Sequence, residues 1–148
     1  MEVQEILKKL LEKNNLTQEE MANRVNVTRQ AVSRWENGET HPNPEMLKVL
    51  SREFDVSINT LLGSPRQLYC QCCGMPLSED SMISRERDNS FNEDYCKWCY
   101  ADGEFLYKTK ESLIEFMMQH MPNPQKQSES ERRKFFESQL SILKHWKV

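Results

Sequence analysis

Residues 16–38 read LTQEEMANRVNVTRQAVSRWENG, and the punctuation of this stretch decides the fold of the first part of the chain. Thr17 stands three residues before Glu20, so each side chain can satisfy a free backbone N–H at a helix start. Met21, Ala22 and Val25 then fall on the inner face, and Asn26 tolerates the left-handed backbone of a sharp turn. Thr28 can cap a second helix over residues 29–36, which Asn37-Gly38 stops. Within it Val32 and Trp35, three apart, are spaced to pack inward, which leaves Arg29, Gln30, Ser33 and Arg34 on the outer side. Two short helices joined by a tight turn, the second exposing polar side chains, form the geometry that enters a DNA major groove. There Arg can grip guanine O6/N7, and Gln can grip adenine N6/N7. Gln18, at the start of the first of these helices, is placed to hold a phosphate.

Outward from this pair, Val3, Leu7, Leu10 and Leu11 recur at helical spacing and predict a helix over residues 2–13, ended by Asn14-Asn15. Asn43-Pro44 supplies a cap and a proline at the first helical position for a helix through Phe54. Ser57 caps a last short helix ending at Gly63. Residues 16–22 and 27–38, with the tail Leu47 to Phe54, Val56-Ser57-Ile58 and Leu61-Leu62, resemble the lambda-repressor/Cro-type (XRE) helix-turn-helix family over about residues 3–63. The resemblance implies a five-helix DNA-binding domain in which Gln18, Thr28 and Asn37 contact phosphates. It also implies that Arg29, Gln30, Ser33 and Arg34 face bases. Asn26 stands where that family often has Gly, and Asn can adopt the same backbone shape.

All five cysteines lie between residues 70 and 99, beyond a linker at residues 64–68. Cys70/Cys73 and Cys96/Cys99 are two C-x2-C pairs 22 residues apart, the arrangement with which two turns deliver four thiolates to one tetrahedral Zn²⁺. Gly74 suits the first turn. Four thiolates close the coordination shell, so the site reads as structural rather than hydrolytic. Cys72 lacks the pairing distance and reads as a small, partly buried thiol or a redox-sensitive one beside the metal. Residues 70–77, 95–100 and Gly103, with Leu143-Lys144-His145-Trp146 at the end, resemble a zinc ribbon family of bacterial proteins over about residues 69–147. The expected module is a ribbon of short β hairpins at 69–109, followed by a helical tail at 110–148. Residues 78–94 show no convincing period. In the tail, Leu113, Ile114, Phe116, Met117 and Met121 form a broad apolar stripe on a helix from Lys110 to Met121. Ser128 and Glu131 can form a second capping box, and the last helix presents Phe135, Phe136, Leu140, Leu143 and Trp146. That surface either covers the ribbon or pairs two copies of the chain.

Bulk properties fit two small modules, mainly α. Hydrophobic residues make up 37% of the 148 and charged residues 29%, which is thin for a single core. The net charge is −3, and residues 1–62 hold eight Lys/Arg against ten Asp/Glu, so DNA affinity must come from local clustering on one face. No run is long and apolar enough to span a membrane, and the first residues lack a signal-peptide pattern. The expectation is a cytoplasmic bacterial regulator, a repressor, bound as a homodimer to a palindromic operator in double-stranded DNA. The competing expectation is an antitoxin-like or adaptor protein whose zinc domain docks a protein partner. No carboxylate cluster or open metal site supports an enzyme.

Overall fold

Leu7, Leu10 and Leu11 share one face of α1 (Val3–Asn14) and are all buried, so this helix forms by packing rather than by intrinsic propensity. Asn15 ends it in the left-handed conformation, at φ 53°. The structure is a computed structural model describing residues 2–147; the outer limits of the two expected domains, Met1 and Val148, lie outside the described residues. The chain divides into two units, one up to Gln67 and one from Leu68.

Four further helices complete the first unit: α2 (Gln18–Arg24), α3 (Arg29–Glu36), α4 (Pro44–Phe54) and α5 (Ile58–Leu61). Each opens on a side-chain cap. Thr17 and Glu20 form the reciprocal box, with both bonds at 3.1 Å. Thr28 accepts from the Ala31 N–H at 3.1 Å, Asn43 from the Met46 N–H at 2.8 Å and Ser57 from the Thr60 N–H at 3.1 Å. A cap of this kind contributes about 1 kcal/mol. The core joins Leu7, Met21, Val25, Val32, Trp35, Leu50 and Leu61. Asn26 sits at φ 57° between α2 and α3, the left-handed shape anticipated for the turn.

The second unit starts with three two-stranded antiparallel hairpins. Strands β1 (Leu68–Tyr69) and β2 (Pro76–Leu77) flank the first cysteine pair, with Leu68 opposite Leu77. Leu68, assigned from the sequence to the linker, is thus a strand residue because its side chain is buried in this unit's core. Strands β3 (Ile83–Arg85) and β4 (Phe91–Cys96) occupy the stretch that showed no period, with an irregularity of register between Ile83 and Ser84. Strands β5 (Tyr100–Ala101) and β6 (Glu104–Phe105) follow the second cysteine pair.

Helices α6 (Lys110–His120) and α7 (Glu129–Ser141) pack on the ribbon and share its core through Leu113, Ile114, Met117, Phe136 and Leu140. Arg132 is buried and donates to the carbonyls of Met118 and Met121 at 3.1 and 2.9 Å, satisfying groups that the end of α6 leaves open. Lys110 Nζ bonds Glu137 at 2.7 Å and Ser141 at 3.1 Å, joining the two helices at their other ends. Ser128 caps α7 by accepting from the Glu131 N–H, one arm of the expected box.

The apolar residues of the tail are not all covered, and its last helix is shorter than expected. The stripe on α6 is wider than the surface that covers it: Leu113, Ile114 and Met117 are buried, while Phe116 and Met121 are each 45% exposed. Phe116 lies about 60° round the helix from Leu113, away from Ile114, and Met121 has already left helical geometry. The last helix also ends at Ser141, so Leu143 and Trp146 reach the ribbon from a turn rather than from a helix face.

Asn26→Gly should leave the stability of the full chain unchanged or slightly raised. Asn26→Val should cost about 1–2 kcal/mol, because a β-branched side chain resists positive φ. Urea unfolding followed by far-ultraviolet circular dichroism reads the difference.

Candidate nucleic-acid interface and candidate metal centre

The orientation of α3 about its own axis is fixed by Val32, fully buried, and Trp35, 6% exposed. With those two inside, Arg29, Gln30 and Arg34 are exposed and Ser33 is half-buried. Thr28 and Asn37, both exposed, stand at the two ends of the same helix. Six of the residues expected at a DNA surface therefore lie on or beside one short helix. Gln18 comes from the first turn of α2 and is only half-exposed. Its Nε2 donates to Glu36 Oε2 at 3.0 Å, a bond across the turn between residues 18 apart with no local sequence signal. Arg24 belongs elsewhere: its guanidinium lies 4.9 Å from the Phe54 ring centre and 3.6 Å from Glu53.

The second site is built by two knuckles. The first, Cys70–Cys73, is the turn between β1 and β2; the second, Cys96–Cys99, runs from the end of β4 to the start of β5. Gly74 closes the first knuckle at φ +83°, a conformation a side chain would strain. The sulfurs of Cys70, Cys73, Cys96 and Cys99 all lie within 4.8 Å of one another, and those of Cys73 and Cys96 are 3.9 Å apart. Four ligands at about 2.3 Å around a tetrahedral zinc stand about 3.8 Å from each other. The cluster therefore needs little contraction to hold one ion, and the donor set suits zinc. Cys70, Cys96 and Cys99 are buried, and Cys73 is half-buried.

Within the cluster the Cys72 and Cys73 N–H groups both donate to Cys70 Sγ at 3.4 Å. The Cys70 thiol is held far below its ordinary range, chiefly by hydrogen bonding from Cys73 and then from Cys96 and Cys99. The same contacts push Cys73 and Cys99 up, first through their bonds to Cys70. Cys96 is lowered as well, so without a cation negative charge is favoured on Cys70 and Cys96 over Cys73 and Cys99. Cys70, Cys73, Cys96 and Cys99 would hold a divalent ion as thiolates, its charge taking the place of the remaining protons.

Cys72 is not one of the four, and it is fully buried rather than partly so. Its sulfur is out of reach of an oxidant in solution, which removes the basis for a redox role in the folded ribbon. His145 stacks on Phe105 with ring centres 3.9 Å apart, and His120 lies 4.5 Å from the Phe116 ring. Burial lowers the His145 pKa. Beside the cysteines a groove of about 750 Å³ is lined by Met75, Trp98, Leu106, Tyr107, Phe116 and Met121.

The two units match separate families. Residues 69–147 match the family described as "Putative zinc ribbon domain", and residues 7–61 match the "Helix-turn-helix" family. Over 63 residues the chain is 47% identical to the HTH-type transcriptional activator BcrR of Enterococcus faecalis. That match takes in 43% of this chain and 31% of the relative, so the chain spans about a third of that protein's length. Among solved structures, the P22 c2 repressor in complex with a synthetic operator is 32% identical, with a TM-score of 0.41 over 42% of this chain and 94% of that one. A transcriptional regulator from Listeria innocua is 16% identical, with a TM-score of 0.42 over 95% of this chain and 92% of that one. The chain belongs to the zinc ribbon family through residues 69–147 and carries an XRE-type helix-turn-helix domain at residues 7–61.

Proposed function

We propose that the chain is a sequence-specific DNA-binding transcription regulator that reads the major groove with α3. The observation that carries this reading is the outer face of that helix, where Arg29, Gln30 and Arg34 are exposed because Val32 and Trp35 are buried. Arg29 and Gln30 occupy the first turn of α3, the part of a recognition helix that reaches base edges, and Ser33 and Arg34 follow one turn later. Thr28, Asn37 and Gln18 would meet the flanking phosphates. A single such helix covers only a few base pairs, so a homodimer on a palindromic operator, with half-sites about 34 Å apart, supplies the remaining specificity. Operation on chromosomal DNA places the chain in the bacterial cytoplasm.

Zinc held by Cys70, Cys73, Cys96 and Cys99 would be structural, a cross-link between the two knuckles that closes its own coordination shell. Repression requires only that the bound domain occupy a promoter. The relative matched over the DNA-binding unit is named as an activator, and a promoter–reporter fusion reads the sign of the output. An antitoxin-like or adaptor role is favoured by one observation, the open apolar groove beside the second knuckle. It predicts a chain whose cellular effect survives loss of the α3 side chains.

Selection of a DNA site followed by mobility-shift titration tests the regulator reading. Arg29→Ala should weaken binding to the selected site by roughly 1–3 kcal/mol and relax base choice at one position. Binding should also fall as salt rises, because phosphate contacts release counterions. Absence of any salt-dependent binding sinks the reading.

The purified chain should hold one zinc per molecule. A chelator should unfold the second unit, on the order of 10 kcal/mol of metal-binding free energy being lost. The helices of the first unit, which contain no ligand, should persist in circular dichroism.

A further inference from the structure

The C-terminal turn touches the first knuckle at the same peptide groups that touch the Cys70 sulfur. The Gln71–Cys72 peptide donates its N–H to Cys70 Sγ at 3.4 Å, and its carbonyl accepts from the His145 N–H at 3.0 Å. The next peptide, Cys72–Cys73, repeats the pattern. Its N–H donates to Cys70 Sγ at 3.4 Å, and its carbonyl accepts from the Trp146 indole N–H at 2.7 Å. No peptide bond among the described residues is cis, so the N–H and carbonyl of each of these two units point to opposite sides. The sulfur therefore lies on one side of the two peptides and the tail on the other. Three further contacts hold the turn in place. The Lys144 N–H donates to Gln71 Oε1 at 3.2 Å, and Lys144 Nζ pairs with Asp94 Oδ2 at 2.7 Å. Leu143 packs beside Gly74.

A hydrogen bond accepted at a peptide carbonyl polarises that peptide and strengthens the bond its own N–H donates, by roughly 10–30% in chains of this kind. The two N–H groups in question both stabilise negative charge on Cys70, the charge a metal-bound thiolate carries. We propose that residues 143–146 are a clamp on the metal site: docking of the turn and binding of the metal strengthen one another through these two peptide groups. Trp146 is then a positioning residue for a sulfur it does not touch. The coupling is reciprocal, so whatever loosens the turn weakens the metal, and loss of the metal loosens the turn by the same factor. The proposal rests on the zinc reading of the four cysteines.

The test uses the full chain loaded with Co²⁺, whose sulfur-to-metal charge-transfer band reports on the charge at sulfur. Two replacements are made at Trp146: Trp146→Phe, and benzothienylalanine, which keeps the shape of the indole and lacks only its N–H. Ile142→Ala, at a position 71% exposed where the preceding helix ends, is the control. Each Trp146 replacement should lower metal affinity, measured against a chromophoric chelator, by roughly three- to tenfold. It should also move the charge-transfer band to longer wavelength while the tetrahedral d–d bands and one Co²⁺ per chain are retained; Ile142→Ala should do neither. A tail that merely covers the core would leave the band where it is. Wild-type affinity and band energy in the benzothienylalanine chain overturn the clamp. A wild-type chain that binds no Co²⁺ and no Zn²⁺ overturns the zinc reading and the clamp with it.

Discussion

The convergence of four cysteine sulfurs is the constraint on which the second unit depends. Its hairpins contain strands of two, three and six residues, too short to hold together by ladder bonds alone. Cys70, Cys96 and Cys99 are nevertheless among its most buried residues and lie in the same core as Leu113, Ile114 and Leu140. Metal site and helix packing are therefore not separate layers. Drawing the knuckles together also fixes the floor on which α6 and α7 rest.

The first unit needs no such cross-link. Four capped helices and one core of Leu, Met, Val and Trp side chains close it, and the caps fix where each helix starts to the residue. That matters for α3 because a one-residue shift of its start would carry Arg29 and Gln30 about 100° round the helix. Thr28 and Asn26 set the start, and Val32 and Trp35 set the rotation. The outward face of the helix follows from those four residues. An acidic module can then carry a local cationic face without a basic surface elsewhere.

Much of this was legible because caps, turns and knuckles are written in single residues. Thr17, Asn26, Thr28, Asn43 and Ser57 each specify one backbone event, and the four cysteines specify one meeting point. What escaped was decided by tertiary contact. The β3–β4 hairpin buries Ser84 completely, its hydroxyl donating to the Asn92 carbonyl at 3.0 Å, so a polar residue occupies a core position and the period of two is lost. Arg132 carries a full charge, yet it is buried under carbonyls of the neighbouring helix. Leu143 and Trp146 keep a helix-like spacing beyond Ser141, but the tail leaves the helix to reach Gln71 and Cys72, and no local signal marks that change.

The bond between Gln18 and Glu36 shows how a surface residue can be committed to structure first. It ties the first turn of α2 to the last turn of α3, the two places from which the face would meet a DNA backbone. The other carboxylate oxygen of Glu36 is buried and has no hydrogen-bond partner among the described residues, a placement that costs about 1–3 kcal/mol. Such a carboxylate is worth keeping only if its bonded oxygen does more than solvate itself. Here it accepts from the Gln18 amide and ties the two helices together. If Gln18 meets a phosphate as proposed, part of the ordering cost of its side chain, about 0.5–1.5 kcal/mol at an interface, would be met before DNA arrives. The brace between the helices and the ordering of Gln18 for DNA would then be one interaction.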